Sequence, residues 1–235
     1  MKKPLIYFVL SLVILTTACS NDDNNEKSSP KLGELSLTSP LDNSTCEGIP
    51  ISSTKSEVTL AWEPTSDTDS YTLTITNLET NKVVLVKNNI ETTSYKVTLD
   101  KDVPFSWKVS STDDLSMEFN NLSTVWKFYA SAGESVANYA PFPADLIAPI
   151  QDKVVTAVDG KITLKWMGSD TDSNGLKYTV YLDKVDGKQT PVTALTNISD
   201  TQISVPVTSG VYYWRIKTSD SNSSSFSQIV SFTVN

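Results

Sequence analysis

The chain has no histidine among its 235 residues. That absence removes imidazole bases, Ser-His-Asp and Cys-His nucleophile systems, and His-ligated zinc. Only two cysteines occur, Cys19 and Cys46, and the eight glycines are spread along the chain without forming a phosphate-cradling loop. Basic side chains are outnumbered, 19 Lys and Arg against 27 Asp and Glu. A chain so balanced cannot assemble a basic face to neutralise phosphates, which argues against nucleic acid and anionic headgroup surfaces as partners. Long apolar runs are missing as well. The run from Pro4 to Leu15 spans 12 residues and is broken by Ser11, well short of the roughly 20 that a membrane-spanning helix needs. Paired carboxylates, the machinery of glycoside hydrolysis, are the remaining catalytic option. The acidic residues, however, sit in Ser- and Asn-rich turns rather than in apolar settings that raise a pKa. No catalytic role is expected, and no catalytic domain is expected beyond Asn235.

Lys2-Lys3, the short apolar run and the small residues that follow it make a secretory signal peptide over residues 1–18. The stretch Leu15-Thr16-Thr17-Ala18-Cys19 resembles a bacterial lipobox, with Thr16 where that motif usually has Leu. The resemblance implies that Cys19 heads the mature chain and carries lipid, palmitate among its acyl chains. An ordinary signal peptide with an incidental Cys is the alternative. The next residues, Ser20-Asn21-Asp22-Asp23-Asn24-Asn25-Glu26, resemble the acidic export signal of Bacteroidota surface lipoproteins. That implies outer-membrane anchoring with exposure at the cell surface, the alternative being a chain facing the periplasm. Residues 19–35 also read as a solvated tether, since their composition cannot bury enough apolar surface to fold. Loss of Lys2 and Lys3 with the leader leaves 217 residues carrying 17 basic and 27 acidic side chains, a net charge of −10. With Cys19 acylated, Cys46 has no disulfide partner and is expected to be a buried, inert thiol.

Self-similarity organises the rest. "VTLAWEPTSDTDSYTLTIT" (58–76) aligns with "ITLKWMGSDTDSNGLKYTVYL" (162–182), "FSWKVSSTD" (105–113) with "YYWRIKTSD" (212–220), and "STVWKFYA" (123–130) with "SQIVSFTV" (227–234). The pairs Trp62/Trp166 and Trp107/Trp214 lie 104 and 107 residues apart, so the chain is a duplication with small insertions. Each copy alternates apolar and polar residues with the period of a strand whose sheet has one buried face. Val58, Leu60 and Trp62 share a face, as do Tyr71, Leu73 and Ile75, and Phe105, Trp107 and Val109. The second copy repeats this with Ile162, Leu164, Trp166; Tyr178, Val180, Leu182; and Tyr212, Trp214, Ile216. Short strands separated by turn-rich stretches such as "PTSDTDS" predict an all-β chain of two tandem immunoglobulin-like sandwiches. The copies fall at residues 36–131 and 144–235, with a Pro-stiffened linker over 132–143.

A Trp closing the second strand, an aromatic-x-Trp-(Lys/Arg)-(Val/Ile) strand running into Ser-Asp or Thr-Asp, and a closing x-Phe strand together resemble fibronectin type III domains. "NYAPFPADLIAPIQDK" and "YYWRIKTSDSN" are similar to such domains in Bacteroidota surface lipoproteins. The resemblance implies a fold and leaves the function open, since this fold serves as spacer, binder and adhesion module alike.

Three groups of residues are candidates for chemistry. Asp170, Asp172 and Asn174 alternate ahead of Gly175, like the first half of a calcium loop, in which alternation turns three oxygens towards one centre. The second half fails, because Tyr181 stands where a bidentate Glu belongs, and the alternative is a turn that bonds its own backbone. The second group is aromatic. Trp62, Trp107, Trp126, Trp166 and Trp214 all fall at inward positions, which withdraws the best sugar-stacking rings from the surface. Tyr181, Tyr213 and Arg215 fall at outward positions of two strands that pair in the fibronectin arrangement, whereas the first copy has Thr74, Ser106 and Lys108 there. They form a candidate ligand-binding patch; plain cross-strand pairing is the alternative. Third, Tyr139 and Phe142 are expected to pack between the sandwiches. The expected function is therefore a membrane-anchored binding or accessory lipoprotein. Its ligand would be a polysaccharide or an outer-membrane or host protein, and calcium is the one metal the residues suggest. In architecture it resembles the duplicated binding lipoproteins of glycan-uptake systems. A structural or adhesive spacer is the competing reading.

Overall fold

The computed structural model describes residues 33–66, 68–113, 118–131, 138–172 and 175–235. Leu32–Asn235 forms one compact unit built of two β-sandwiches. In the first, one sheet contains β2 (Leu37–Ser39), β4 (Ile49–Pro50), β5 (Lys55–Trp62) and β8 (Ser94–Asp100), with β5 at its centre. The facing sheet pairs β6 (Ser70–Asn77) between β7 (Lys82–Ile90) and β9 (Pro104–Asp113), and β9 in turn with β11 (Trp126–Ser131). Its margins are closed by β3 (Ser44–Glu47), parallel to β11, and by β1 (Gly33–Leu35), parallel to β10 (Glu118–Ser123). The chain thus enters the fold earlier than the tether expectation allowed. Leu35 is 1% exposed in the core, because β1 completes the edge that β10 would otherwise leave open.

The second sandwich repeats the plan. One sheet runs β12 (Phe142–Ala148), β14 (Lys161–Ser169), β16 (Gln202–Pro206). The other runs β13 (Lys153–Val155), β19 (Val230–Val234), β17 (Gly210–Ser219), β15 (Lys177–Asp183), with β18 (Ser224–Phe226) beside the end of β17. Both sandwiches have the strand order of an immunoglobulin-like, fibronectin type III-like fold. One strand is missing from the repeat. Where the first copy places β7 alongside β6, residues 184–201 of the second run as turns and one 3-10 turn at Thr193–Leu195, joined to β15 in strand fashion at the Tyr178–Ile198 bridge and tied to it by side chains such as Asp183.

Alternation explains the cores. The three residues of each repeat triplet point inward and are buried, save Leu182, which is half-buried against the same core. Trp107 and Trp214 occupy the centres of β9 and β17, and each sandwich sets an indole edge-on to a tyrosine. Trp62 meets Tyr71 at 5.5 Å and Trp166 meets Tyr178 at 5.6 Å, the geometry in which a ring edge faces a neighbouring π-cloud. Duplication extends to single hydrogen bonds. Ser123 Oγ accepts from Val109 N at 2.9 Å, and Ser227 Oγ accepts from Ile216 N at 2.9 Å. Trp126 also points inward, packing edge-on to Trp107 at 6.3 Å, but at the end of the core, where it is half-buried. Cys46 is half-buried beside the first core, and burial raises its thiol pKa.

Trp214→Ala should empty the centre of the second core and cost about 3–5 kcal/mol, whereas Trp126→Ala at the core margin should cost clearly less. Urea unfolding of both variants, followed by far-UV circular dichroism, checks the order.

Candidate functional site

Register decides which outward side chains become neighbours. On the solvent face of the second sandwich, Tyr181 of β15 lies directly opposite Arg215 of β17, and Asp183 opposite Tyr213. The first sandwich has the same register at the same places, Thr74 opposite Lys108 and Thr76 opposite Ser106, so at these positions the two copies differ in side chains and not in register. Tyr181 and Arg215 come together as the sequence suggests, and β18 adds a ring that sequence reasoning missed. Phe226 sits opposite Lys217, 5.7 Å from the Tyr181 ring, and is 41% exposed. The Arg215 guanidinium carbon lies 4.3 Å from the centre of the Phe226 ring and 4.8 Å from that of Tyr181, within cation–π range of both. Lys217 Nζ stands 5.9 Å from the Phe226 ring. Tyr213 flanks Arg215 two residues along β17 on the same face. The signal for Phe226 was its place after the strand in the "SSSFS" stretch, which period-two reasoning has no reason to pair with Lys217.

The nearest acid in the register does not neutralise this face. Asp183 turns its carboxylate into the loop that follows it. Oδ1 accepts from the backbone N–H groups of Val185, Asp186 and Gly187 at 2.8, 2.8 and 3.0 Å, and Oδ2 from that of Gln189 at 3.2 Å. Burial would raise its pKa, but these donors outweigh burial and hold it below the usual carboxylate range. Gly187 closes the turn at φ +70°, where a side chain would be strained and would press on Ile229.

A cleft of about 220 Å³ adjoins Phe226 where the two sandwiches meet, lined by Leu78 and Lys127 of the first and by Pro143–Leu146, Phe226, Gln228 and Val230 of the second. The meeting place is filled. Lys127 and Tyr129 point away from the first core on β11 and yet are buried. Lys127 Nζ bonds Asp145 Oδ2 at 2.6 Å, and the Tyr129 ring packs 4.6 Å from Tyr139 and 5.0 Å from Phe142 while its hydroxyl donates to Ala140 O at 2.8 Å. Tyr139 and Phe142 are placed as expected; Tyr129, Lys127 and Asp145 are contacts that the linker sequence does not reveal. A larger hollow of about 690 Å³ lies in the second sandwich beside Ile147, Ile150 and Val158. It is a mostly apolar trough with Lys153, Asp159 and Lys161 also in its lining.

Asp170 and Asp172 also come together, and Asp220 joins them as a member the sequence did not suggest; Asn174 lies outside the described residues. Oxygens of the three carboxylates lie within 4.8 Å of one another. Asp220 comes from the turn after β17, which the sandwich brings beside the turn after β14; that proximity is tertiary and has no local signature. Asp172 Oδ2 accepts from Tyr139 N at 2.7 Å, and Asp220 Oδ2 accepts from Asn138 Nδ2 at 3.0 Å, so the linker is tied to the cluster. Asp170 Oδ2 is sealed from solvent without a hydrogen-bond partner among the described residues. Burial, aided by the neighbouring Asp172 charge, pushes the Asp170 pKa up to about 6. Three hard oxygens converging in this way are suited to a calcium-class cation, which takes oxygen ligands from carboxylates and carbonyls.

No protein-family model matches the chain, and no curated protein matches it. Solved structures to which it is similar include the chicken CNTN1 FN1–FN3 domains, at 17% identity over 82% of this chain and 67% of that one, with a TM-score of 0.30. A PKD domain of human KIAA0319 aligns at 14% identity over 45% of this chain and 91% of that one, TM-score 0.31. The tandem Ig repeats of Dlar align at 9% identity over 86% and 98%, TM-score 0.28. The architecture given above rests on the strand pairing of this chain and not on these likenesses.

A raised acid pKa means that the folded state holds a proton which the unfolded chain releases. Asp170 therefore adds stability as pH falls from above 6 towards its ordinary value near 3.8, and withdraws it as pH rises through 6. Asp183 and Asp220 act below that window, since their pKa values are lowered. The melting temperature should rise between pH 7 and pH 5, and Asp170→Asn should flatten that slope. Thermal melts across the range check it.

Proposed function

We propose that the chain is a non-catalytic binding lipoprotein, held to the outer membrane through acyl chains on Cys19 and presenting its second sandwich to a polysaccharide at the cell surface. The observation that carries the reading is the Tyr181–Arg215–Phe226 cluster. Two rings and an unneutralised cation lie on a face where the first copy, with the same backbone register, has Thr74 and Lys108. Packing of the sandwich does not call for that substitution, because the residues point away from the core. A catalytic role has no support in a chain without histidine. The anchor reading rests on the lipobox-like stretch ending at Cys19 and on the acidic residues after it; more than one acyl chain gives lasting attachment.

A second reading, a structural or adhesive spacer, is favoured by the filled junction. Buried Lys127, Tyr129 and Phe142 brace one sandwich on the other, as a strut requires. The two readings are compatible if the strut presents the face. Calcium belongs to this reading: a cation held by Asp170, Asp172 and Asp220 would tighten the linker through Asn138 and Tyr139.

A glycan array probed with the whole chain should give binding that Tyr181→Ala with Tyr213→Ala removes. No binding, or binding unchanged in the double variant, overturns the sugar reading, while capture of a defined outer-membrane protein instead supports the spacer. In the same preparation Cys19→Ser should shift the protein from the membrane fraction to the soluble one. Added calcium should raise the melting temperature at pH 7 and chelator should reverse the rise; an unchanged melt removes the cation.

A further inference from the structure

Arg215 is the only arginine in the chain. In a molecule with excess acid it is placed where it makes no hydrogen bond and no salt bridge among the described residues; its contacts are the faces of Tyr181 and Phe226. Of its three nitrogens only Nε is sealed from solvent, which leaves the two Nη groups open at the surface. The acid nearest in register, Asp183, is committed to four backbone N–H groups. The hydroxyls of Tyr181 and Tyr213 have no hydrogen-bond partner among the described residues.

We infer that this face binds acidic polysaccharide, with the carboxylate of a uronic acid residue received by the Nη groups of Arg215 and the sugar ring lying against Tyr213, Tyr181 and Phe226. The inference rests on the binding reading above and narrows it to a ligand class.

The argument is one of fit. A guanidinium is a planar fork that meets a carboxylate through two parallel hydrogen bonds, and arginine is favoured over lysine wherever that geometry matters. Here the fork is held before any ligand arrives, because the two rings restrict the side chain that would otherwise lose its rotational freedom on binding. Rings and cation are neighbours on one flat face, matching a pyranose that offers apolar C–H faces and an acidic substituent together. An acidic peptide would fit a different place. Extended peptides are captured through main-chain hydrogen bonds at a sheet edge, whereas the Tyr181, Arg215 and Phe226 side chains project from the face of the sheet. Repulsion from the net negative charge of the chain acts at long range and is largely screened beyond about 8 Å in physiological salt, so the contact pair decides. Lys217 beside Phe226 supplies a second cation along the strand, suited to a repeating polyanion.

The test titrates the whole chain, in chelator, with polygalacturonate and with the same polymer after its carboxyl groups are reduced to primary alcohols. Dextran sulfate and polyglutamate serve as further arms. Binding to polygalacturonate and not to the reduced polymer is expected, and Arg215→Lys, which keeps charge and loses the fork, should weaken it by about tenfold or more. Equal binding of the reduced polymer overturns the carboxylate inference and leaves a neutral-sugar platform standing. Equal binding of dextran sulfate shows general attraction to polyanions and overturns it too. Polyglutamate binding with the same dependence on Arg215 overturns the sugar class in favour of acidic protein. Binding to none of these polymers, while neutral glycans on an array are bound, overturns the inference alone; no glycan bound at all sinks the parent reading with it. The reduced polymer is compared on the wild-type chain, so the result does not depend on how well the Arg215 variant folds.

Discussion

Burial of the indoles governs this molecule. Each sandwich closes its two sheets around one central tryptophan, Trp107 or Trp214, and seats a second, Trp62 or Trp166, edge-on to a tyrosine. Rings of that size fill the interior between two short-stranded sheets and dominate its apolar burial. Strands alternate strictly, so fixing the inward set fixes the outward set as well: once Tyr178, Val180 and Leu182 face the core, Tyr181 must face water. The outward aromatic face is in this sense a by-product of core packing, and a slip of one residue in register would exchange the two.

Duplication followed by divergence makes that by-product readable. The two copies share register, the edge-on Trp–Tyr pairs and even the serine hydroxyls that cap Val109 N and Ile216 N. Against so close a match, differences stand out. The first copy keeps the edge strand β7, and the second replaces it with a loop tied down by Asp183. The first has small and flexible polar side chains on its outer face, and the second has rings and a guanidinium. A burial term common to both copies cannot account for such differences.

The junction couples the sandwiches through contacts that the Pro-stiffened linker sequence does not reveal. Lys127 and Tyr129 lie at outward positions of β11, normally wet, and are covered instead by the chain running into β12. A buried ammonium needs a counter-charge, and Asp145 provides it at 2.6 Å. The acidic cluster of Asp170, Asp172 and Asp220 lies at the same end of the second sandwich and bonds the linker through Asn138 and Tyr139. The cluster is thereby in direct hydrogen-bond contact with the segment that joins the two halves.

Much of this was legible from one strand of sequence at a time. The inward triplets, the repeat, the lack of any imidazole and the outward parity of Tyr181, Tyr213 and Arg215 are local or periodic properties, and alternation alone reports them. What alternation cannot report is who sits across from whom between strands distant in the chain. Phe226 joins Arg215 because β18 folds back on β17; Asp220 joins Asp170 because two turns meet at one end of a sandwich; Tyr129 is buried because a second sandwich covers it; Leu35 enters the core because β1 pairs with β10. Each depends on contacts over many residues, whose energy is realised only when both sheets are in place. The sequence by itself determined which face of every strand is apolar, since that follows from a period of two; only the tertiary structure decided which polar and aromatic side chains meet on the other face, since that follows from strand order and register.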